Sequence, residues 1–313
     1  MNIAIVGAGS IGGLFAAKLS NAGVENLLVH SRGTMGEAFI STGIKVSGLT
    51  THSIPVSNFF PSIAEVGIPP EWKQAADLII ITGKSTHAEE LIETAHILSH
   101  SKSIVFSPSN GIGWEELLCN KFGKSRVLAA STTHAAKREG NSSISYTGIG
   151  EIVLGAIGGN ISEDAVQEII DLLSKSSLKP RWVDDGESVV WEKAILNAAI
   201  NPLAALSGVK NGELLKGNNW FTALEIMYEA CLVARTHGVL IRQDEEMEKL
   251  LSHVLESTAQ NTCSMGQDLM YGRKTEIDFI NGKIVELAET YGIPVPFNRL
   301  LTTLVKMSEP NKY

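Results

Sequence analysis

The chain has few cysteines: Cys119, Cys231 and Cys263, in 313 residues. Odd in number, far apart and without a C-x-x-C pair, they exclude a disulfide framework and a cysteine-held metal. They suit reduced thiols in a cytoplasmic protein. No apolar run approaches the roughly 18 residues of a membrane span, so no membrane association is expected. Basic charge is not in excess: 26 Lys and Arg against 34 Asp and Glu leave a net charge of −8. That balance argues against a general nucleic-acid binder, whose footprint is basic. It leaves room for a small anion at a locally positive site. One H-x-x-x-H is present, His96 and His100, at what reads as a helix C-terminus. It lacks the adjacent Glu of a zincin and a third ligand, so no metal is expected.

What is present is concentrated at the start of the chain. Ile3 to Val6 is a short β-branched apolar run that reads as a buried strand. Gly7, Gly9 and Gly12 follow at once in G-x-G-x-x-G spacing. An apolar-periodic segment from Ile11 to Leu19 reads as a helix. Gly7 makes the tight turn, Gly9 lets backbone approach a pyrophosphate, and Gly12 lets the helix pack close to the strand. The loop Gly7-Ala8-Gly9-Ser10-Ile11-Gly12 would hold phosphates on free N–H groups at the helix N-terminus. Strand, glycines and helix in this order mark a dinucleotide-binding unit. With the first strand so near the beginning, no secretory or transit segment is expected ahead of it.

The end of the second strand bears on the cofactor. Glu25 to His30 reads as that strand, followed by Ser31, Arg32 and Gly33. An NAD site usually places Asp or Glu here for the ribose 2′-hydroxyl, and an NADP site often places Arg. No acidic residue occurs between Leu27 and Met35. Ser31 and Arg32 offer hydroxyl and guanidinium donors for a 2′-phosphate. NADP is therefore the expected cofactor.

Length suits two domains. Up to about residue 180, strand-like and helix-like segments alternate, which predicts a mostly parallel sheet. Strands are expected at Ala76–Thr82, Ser103–Ser107 and Val127–Ser131, helices at Ala88–Leu98 and Trp114–Lys121. Two short strands are expected within Ser143–Leu154, and a hairpin-like excursion within Gly43–Ser57. Beyond Arg181 the segments turn helical: Ser188–Asn201, Trp220–His237, Asp244–Gln260 and Glu276–Tyr291. The expected fold is α/β, with an N-terminal Rossmann-type dinucleotide-binding domain over 1–183 and a C-terminal all-helical domain over 184–313. Ligands would bind beyond the carboxyl ends of the strands.

The first C-terminal helix carries a polar stripe. Lys193, Asn197 and Asn201 recur at i, i+4 and i+8, within a sector of about 80°. The opposite side, Ile195, Leu196, Ala198 and Ala199, is apolar. One cation and two amides suit a carbonyl with neighbouring oxygens. Pro202 is expected to end or kink the helix. A second polar cluster is Asn261-Thr-Cys-Ser264. A third, Thr275-Glu276-Ile-Asp278, reads as a helix start with Thr275 as cap and Asp278 completing a capping-box-like pair. Glu276 is left over in the first turn.

With these pieces in place, the chain resembles the ketopantoate reductase (2-dehydropantoate 2-reductase) family across nearly its whole length. The resemblance rests on G-A-G-S-I-G at 7–12, T-G-K-S at 82–85 and S-N-G-I-G at 109–113. It rests also on T-T-H-A-A-K-R-E-G-N at 132–141, W-E-K-A-I-L-N-A-A-I-N-P-L at 191–203, N-T-C-S-M-G-Q-D at 261–268 and T-E-I-D-F-I-N-G at 275–282. It implies that Lys193 is a general acid. It implies that Asn110, Asn197, Asn201, Asn261 and Ser264 hold a 2-oxo acid substrate or the nicotinamide end. Glu276 would orient Lys193 or substrate, Arg32 would take the 2′-phosphate of NADP, and Lys84 would line the same site. The resemblance admits a homodimer. The expected activity is NADPH-dependent reduction of 2-dehydropantoate to pantoate, in pantothenate biosynthesis. Alternatives are a related NADP-dependent reductase of another branched 2-oxo acid, another two-domain reductase of opine or 6-phosphogluconate type, and a non-catalytic NADP sensor. The Lys193 face argues against the sensor, which needs no proton donor.

Overall fold

The structure, a computed structural model, describes residues 1–159 and 161–310. It divides into two compact units. One comprises Met1–Ser109 with Trp114–Gly186, the other Asn110–Gly113 with the chain from Glu187 on.

The first unit opens with β1 (Ile3–Val6), α1 (Ser10–Asn21), β2 (Leu27–Ser31) and α2 (Gly33–Thr42). Next come β3 (Ile44–Gly48), β4 (His52–Ile54), β5 (Phe60–Ile63), β6 (Ala76–Ile81), α3 (Ala88–Leu98) and β7 (Ser99–Ser107). Then follow α4 (Trp114–Phe122), β8 (Val127–Thr132), β9 (Ala135–Arg138), β10 (Ser143–Gly148), β11 (Ile152–Ala156), α5 (Glu163–Lys175) and β12 (Pro180–Val183). Eight strands form the main sheet in the order β12-β11-β8-β7-β6-β1-β2-β5. Every pairing in it is parallel except β11 with β8.

The unbroken apolar runs are explained by burial on both faces. Ile3 and Ile5 of β1, with Leu78 and Ile80 of β6, enter one core with Leu14, Phe15 and Leu19 of α1. Their alternates Ala4, Val6, Ile79 and Ile81 enter a second core with Leu91 and Ile92 of α3 and Trp114 and Leu118 of α4. The period of two is thus read by a different helix layer on each side.

The expected hairpin is β3 with β4. It joins a separate four-stranded sheet, β4-β3-β10-β9. The two strands expected within Ser143–Leu154 therefore belong to different sheets. Helix α1 lies between the two sheets, and adjacent glycines make this fit. A Cβ on Gly12 would overlap Thr82 Oγ1 and come within 3.2 Å of Ile5 in the main sheet, while one on Gly13 would overlap Ile144 of β10.

The second unit is helical: α6 (Gly186–Ser207), α7 (Asn218–His237), α8 (Asp244–Ser257), α9 (Ser264–Met270), α10 (Asn281–Tyr291) and α11 (Pro296–Ser308). Its core joins Ile195, Ala198 and Ala199 of α6 to Met227 and Val233 of α7, Leu251 of α8, Ile284 of α10 and Val305 of α11.

Three expectations need correction. Helix α6 runs through Pro202 to Ser207 and does not end there. The helix expected from Glu276 starts at Asn281, preceded by a single 3-10 turn over Ile277–Phe279. Consequently Thr275 and Asp278 form no capping box. Thr275 Oγ1 accepts from the Ile277 N–H and donates to Glu309, and Asp278 pairs with Lys306. His96 and His100 do not both lie at a helix C-terminus either. His96 lies in the last turn of α3, while His100 lies on β7 beside Asp77.

The β1–α1 turn separates two roles for glycine. Gly7 has φ +78°, and a Cβ there would lie 2.7 Å from the Gly83 backbone nitrogen. At Gly9 the nearest atom to an added Cβ is 4.0 Å away. Gly7→Ala should therefore cost about 1–3 kcal/mol of stability. Gly9→Ala should cost less than about 1 kcal/mol. Urea unfolding of the two variants measures the difference, and equal losses would contradict it.

Candidate functional site

In the first unit the site is built on the turn after β1. The Gly7 and Ala8 N–H groups both donate to the His30 carbonyl at 3.0 and 2.9 Å, which ties the turn to the end of β2. Helix α1 begins with Gly9 as N-cap, with no side-chain cap and no acidic residue in its first turn. A helix N-terminus left uncapped, beside a Gly9 whose added Cβ would meet nothing nearer than 4.0 Å, fits a pyrophosphate.

The end of β2 lies next to this turn. Ser31 is buried, and its hydroxyl donates to the Ala8 carbonyl at 3.1 Å. It braces the glycine loop, and its oxygen retains acceptor capacity only. Arg32 is the N-cap residue of α2, and its guanidinium is half-exposed and pairs with Glu90 at 3.1 Å. The Gly33 N–H donates to Glu65 Oε1 at 2.9 Å, a bond that lowers the Glu65 pKa. The sequence has no carboxylate at the end of this strand, yet the fold brings two to it, from after β5 and from α3. Lys84 follows β6 and precedes the 3-10 turn Ser85–His87.

In the second unit α6 brings the expected polar residues together. Lys193 and Asn197 are half-buried, and Asn201 is 6% exposed. The Asn201 carbonyl accepts from the Cys263 thiol at 3.4 Å. Asn197 Nδ2 donates to Asn110 Oδ1 at 3.5 Å. The short segment around Asn110 is pinned in turn. The Ile112 N–H donates to the Phe279 carbonyl at 2.7 Å, and Gly111 has φ +104°, where a Cβ would lie 2.7 Å from that same oxygen. This contact holds the turn that begins at Glu276.

Lys193 keeps some solvent access, but protein surrounds it densely. Desolvation lowers its pKa from 10.5 to about 8, and the nearby charge of Glu276 opposes that shift. A lysine so placed is still largely charged at neutral pH and releases its proton readily.

Cys263 is a residue that sequence reading missed. Its thiol donates to the Asn201 carbonyl at 3.4 Å and accepts from the Gly266 N–H at 3.3 Å, capping α9. Burial raises its pKa. It ties α6 to Ser264, the exposed first residue of α9. Asn261 is also exposed, and its carbonyl accepts from the Asn211 N–H at 3.0 Å. Sequence reading places it within the Asn261-Thr-Cys-Ser264 cluster but predicts no helix after it, and cysteine is not a usual cap. Among the described residues no group of three potential metal ligands occurs.

Comparison with known proteins agrees with this arrangement. Residues 3–159 match the family described as ketopantoate reductase PanE/ApbA, and residues 185–309 match its C-terminal family. A 2-dehydropantoate 2-reductase of Pyrococcus abyssi is 35% identical, covering 99% of this chain and 98% of its own. One from Archaeoglobus fulgidus is 33% identical over 97% of this chain and 96% of its own. Among solved structures, a PanE/ApbA family ketopantoate reductase from Ralstonia eutropha superposes with a TM-score of 0.85 at 26% identity, covering 98% of both chains. A ternary structure of D-mandelate dehydrogenase with NADH and anilino(oxo)acetate superposes with a TM-score of 0.89 at 25% identity, again over 98% of both chains. No helix among the described residues is long and apolar enough to cross a membrane. The match over nearly all of the chain, together with its Rossmann-like sheet and helical second unit, places this protein in the ketopantoate reductase family of oxidoreductases.

Proposed function

We propose that the protein reduces 2-dehydropantoate to pantoate with NADPH, as a cytoplasmic enzyme of pantothenate biosynthesis. The observation that carries the reading is Lys193 on α6. It is a desolvated ammonium with a pKa near 8, beside Glu276 and flanked by Asn197 and Asn201.

When bound, NADPH would supply the hydride that adds to the 2-keto carbon, its own C–H bond breaking as it becomes NADP⁺. As the new C–H bond forms, the carbonyl π electrons move to oxygen, which needs a proton at that moment. Lys193 gives it: an N–H bond breaks, an O–H bond forms, and the neutral amine is later reprotonated from water. Glu276 keeps Lys193 charged before the transfer by favouring the ammonium. The amides of Asn197 and Asn201 orient the substrate oxygens, with Asn110 bracing Asn197. Asn261 and Ser264 offer donors for the substrate carboxylate. In the first unit, Gly7 to Gly12 would carry the pyrophosphate, Arg32 the 2′-phosphate, and Lys84 would add positive charge beyond β6.

A second reading is reduction of another branched 2-oxo acid with NADH. The carboxylates of Glu65 and Glu90 beside Gly33 and Arg32 favour it, as does similarity to D-mandelate dehydrogenase. Relative kcat/KM for the two cofactors separates the readings. On the NADPH reading, Arg32→Ala lowers NADPH affinity about 10-fold or more and leaves NADH affinity nearly unchanged. An unchanged ratio of affinities would remove Arg32 from the phosphate site.

Lys193→Ala should lower kcat by about 10²–10⁴, with NADPH affinity nearly unchanged. Lys193→Arg should restore little, because guanidinium does not release its proton near neutral pH. The acid must be protonated for reduction. Reductive kcat/KM should therefore fall as pH rises through about 8, while pantoate oxidation, which needs the neutral amine, rises over the same range. A near-wild-type kcat for Lys193→Ala would contradict the mechanism.

A further inference from the structure

Pro202 lies inside α6. In an α-helix the N–H of residue 202 would donate to the carbonyl of residue 198, and proline has no N–H to give. Ala198 is fully buried, so water does not serve its carbonyl instead. Asn281 does: its Nδ2 donates to the Ala198 oxygen at 3.0 Å. Asn281 is itself 0% exposed.

This amide is fixed in direction. Its second N–H donates to Asn298 Oδ1 at 3.0 Å, so a flipped amide would set its oxygen against two acceptors. Asn298, also fully buried, donates onward to the Ile226 carbonyl at 3.1 Å and to Glu229 at 2.7 Å. Glu229 also accepts from the Phe297 and Asn298 N–H groups at the start of α11, at 3.0 and 2.9 Å. The chain of donors thus ends on a carboxylate that accepts three hydrogen bonds, while the buried Asn281 Oδ1 has no partner among the described residues. Such a network holds one arrangement and disfavours others.

The place of the contact matters. Ala198 lies directly after Asn197 and three residues before Asn201. Asn281 begins α10, five residues beyond Glu276 on the same segment. We propose that Asn281 is a positioning residue: it replaces the backbone donor that Pro202 withholds, and so fixes the Lys193, Asn197 and Asn201 face of α6 against the turn that carries Glu276. It touches no reacting atom. The proposal rests on the reading of that face as the place where substrate is bound and protonated.

The test is a mutant cycle. Asn281→Ala should lower kcat for 2-dehydropantoate about 10-fold or more and raise its KM, because small misplacements of a reacting group are costly. NADPH affinity should stay within about twofold, a split that general loss of folded protein does not give. Pro202→Ala, added to Asn281→Ala, restores an N–H at residue 202 for the Ala198 carbonyl. The double variant should recover kcat to within about threefold of Pro202→Ala alone. Wild-type kinetics in folded Asn281→Ala would overturn the proposal, as would a defect that Pro202→Ala does not repair. If Asn281→Ala does not fold, the double variant decides alone: folded and near the activity of Pro202→Ala supports the proposal, folded and impaired overturns it. If the wild-type protein does not turn over 2-dehydropantoate, the substrate reading fails, and amide exchange across residues 193–203 decides the positioning. Faster exchange in Asn281→Ala, reversed in the double variant, supports it; unchanged exchange overturns it.

Discussion

A lysine ammonium largely withdrawn from water is the constraint on which the second unit turns. Lys193 lies on a helix whose other face, Ile195, Ala198 and Ala199, is packed into the core. Desolvation there lowers its pKa to about 8, and the charge of Glu276 keeps it from falling further. Burial makes this lysine a stronger acid than it would be in water, while the carboxylate favours its charged form. The flanking amides, the segment pinned to Phe279 and the thiol of Cys263 all act on the same helix.

In the first unit the corresponding constraint is steric. The backbone turns sharply at Gly7, with φ +78°, and α1 is pressed between two sheets with a glycine toward each. Gly7 and Gly12 leave no room for a side chain, and the first turn of α1 presents backbone N–H groups without a side-chain cap. A helix N-terminus without a cap or an acidic neighbour favours anions. The chemistry of the two units is therefore different in kind: uncapped backbone dipoles in one, a tuned side-chain cation in the other.

Much of this was legible in the sequence, because it is local. The buried strand, the glycine spacing and the following helix occupy consecutive residues. Likewise, the i, i+4, i+8 face of α6 needs only the helical period. What was not legible depends on long-range packing. Glu65 and Glu90 reach the end of β2 from after β5 and from α3, so the stretch from Leu27 to Met35 gave no hint of them. Ser31 reads as a free donor until the fold buries it against Ala8. Pro202 reads as an end or a kink of the helix; α6 continues past it, with Asn281, distant in sequence, supplying the missing donor. The helix expected from Glu276 is delayed because Phe279 gives its carbonyl to Ile112. Short strands such as β5, β9 and β12 carry polar residues or proline and take their conformation from their neighbours, as expected where intrinsic strand preference is weak.

The central claim is that this protein moves a hydride to the 2-keto carbon of 2-dehydropantoate and a proton to its oxygen. Deuterium placed at the transferable position of NADPH tests it most directly, with the product analysed by mass spectrometry. The account predicts pantoate carrying one deuterium at carbon 2 for each NADPH consumed. NADPH left unconsumed in the presence of 2-dehydropantoate, or consumed without deuterium reaching that carbon, would contradict it.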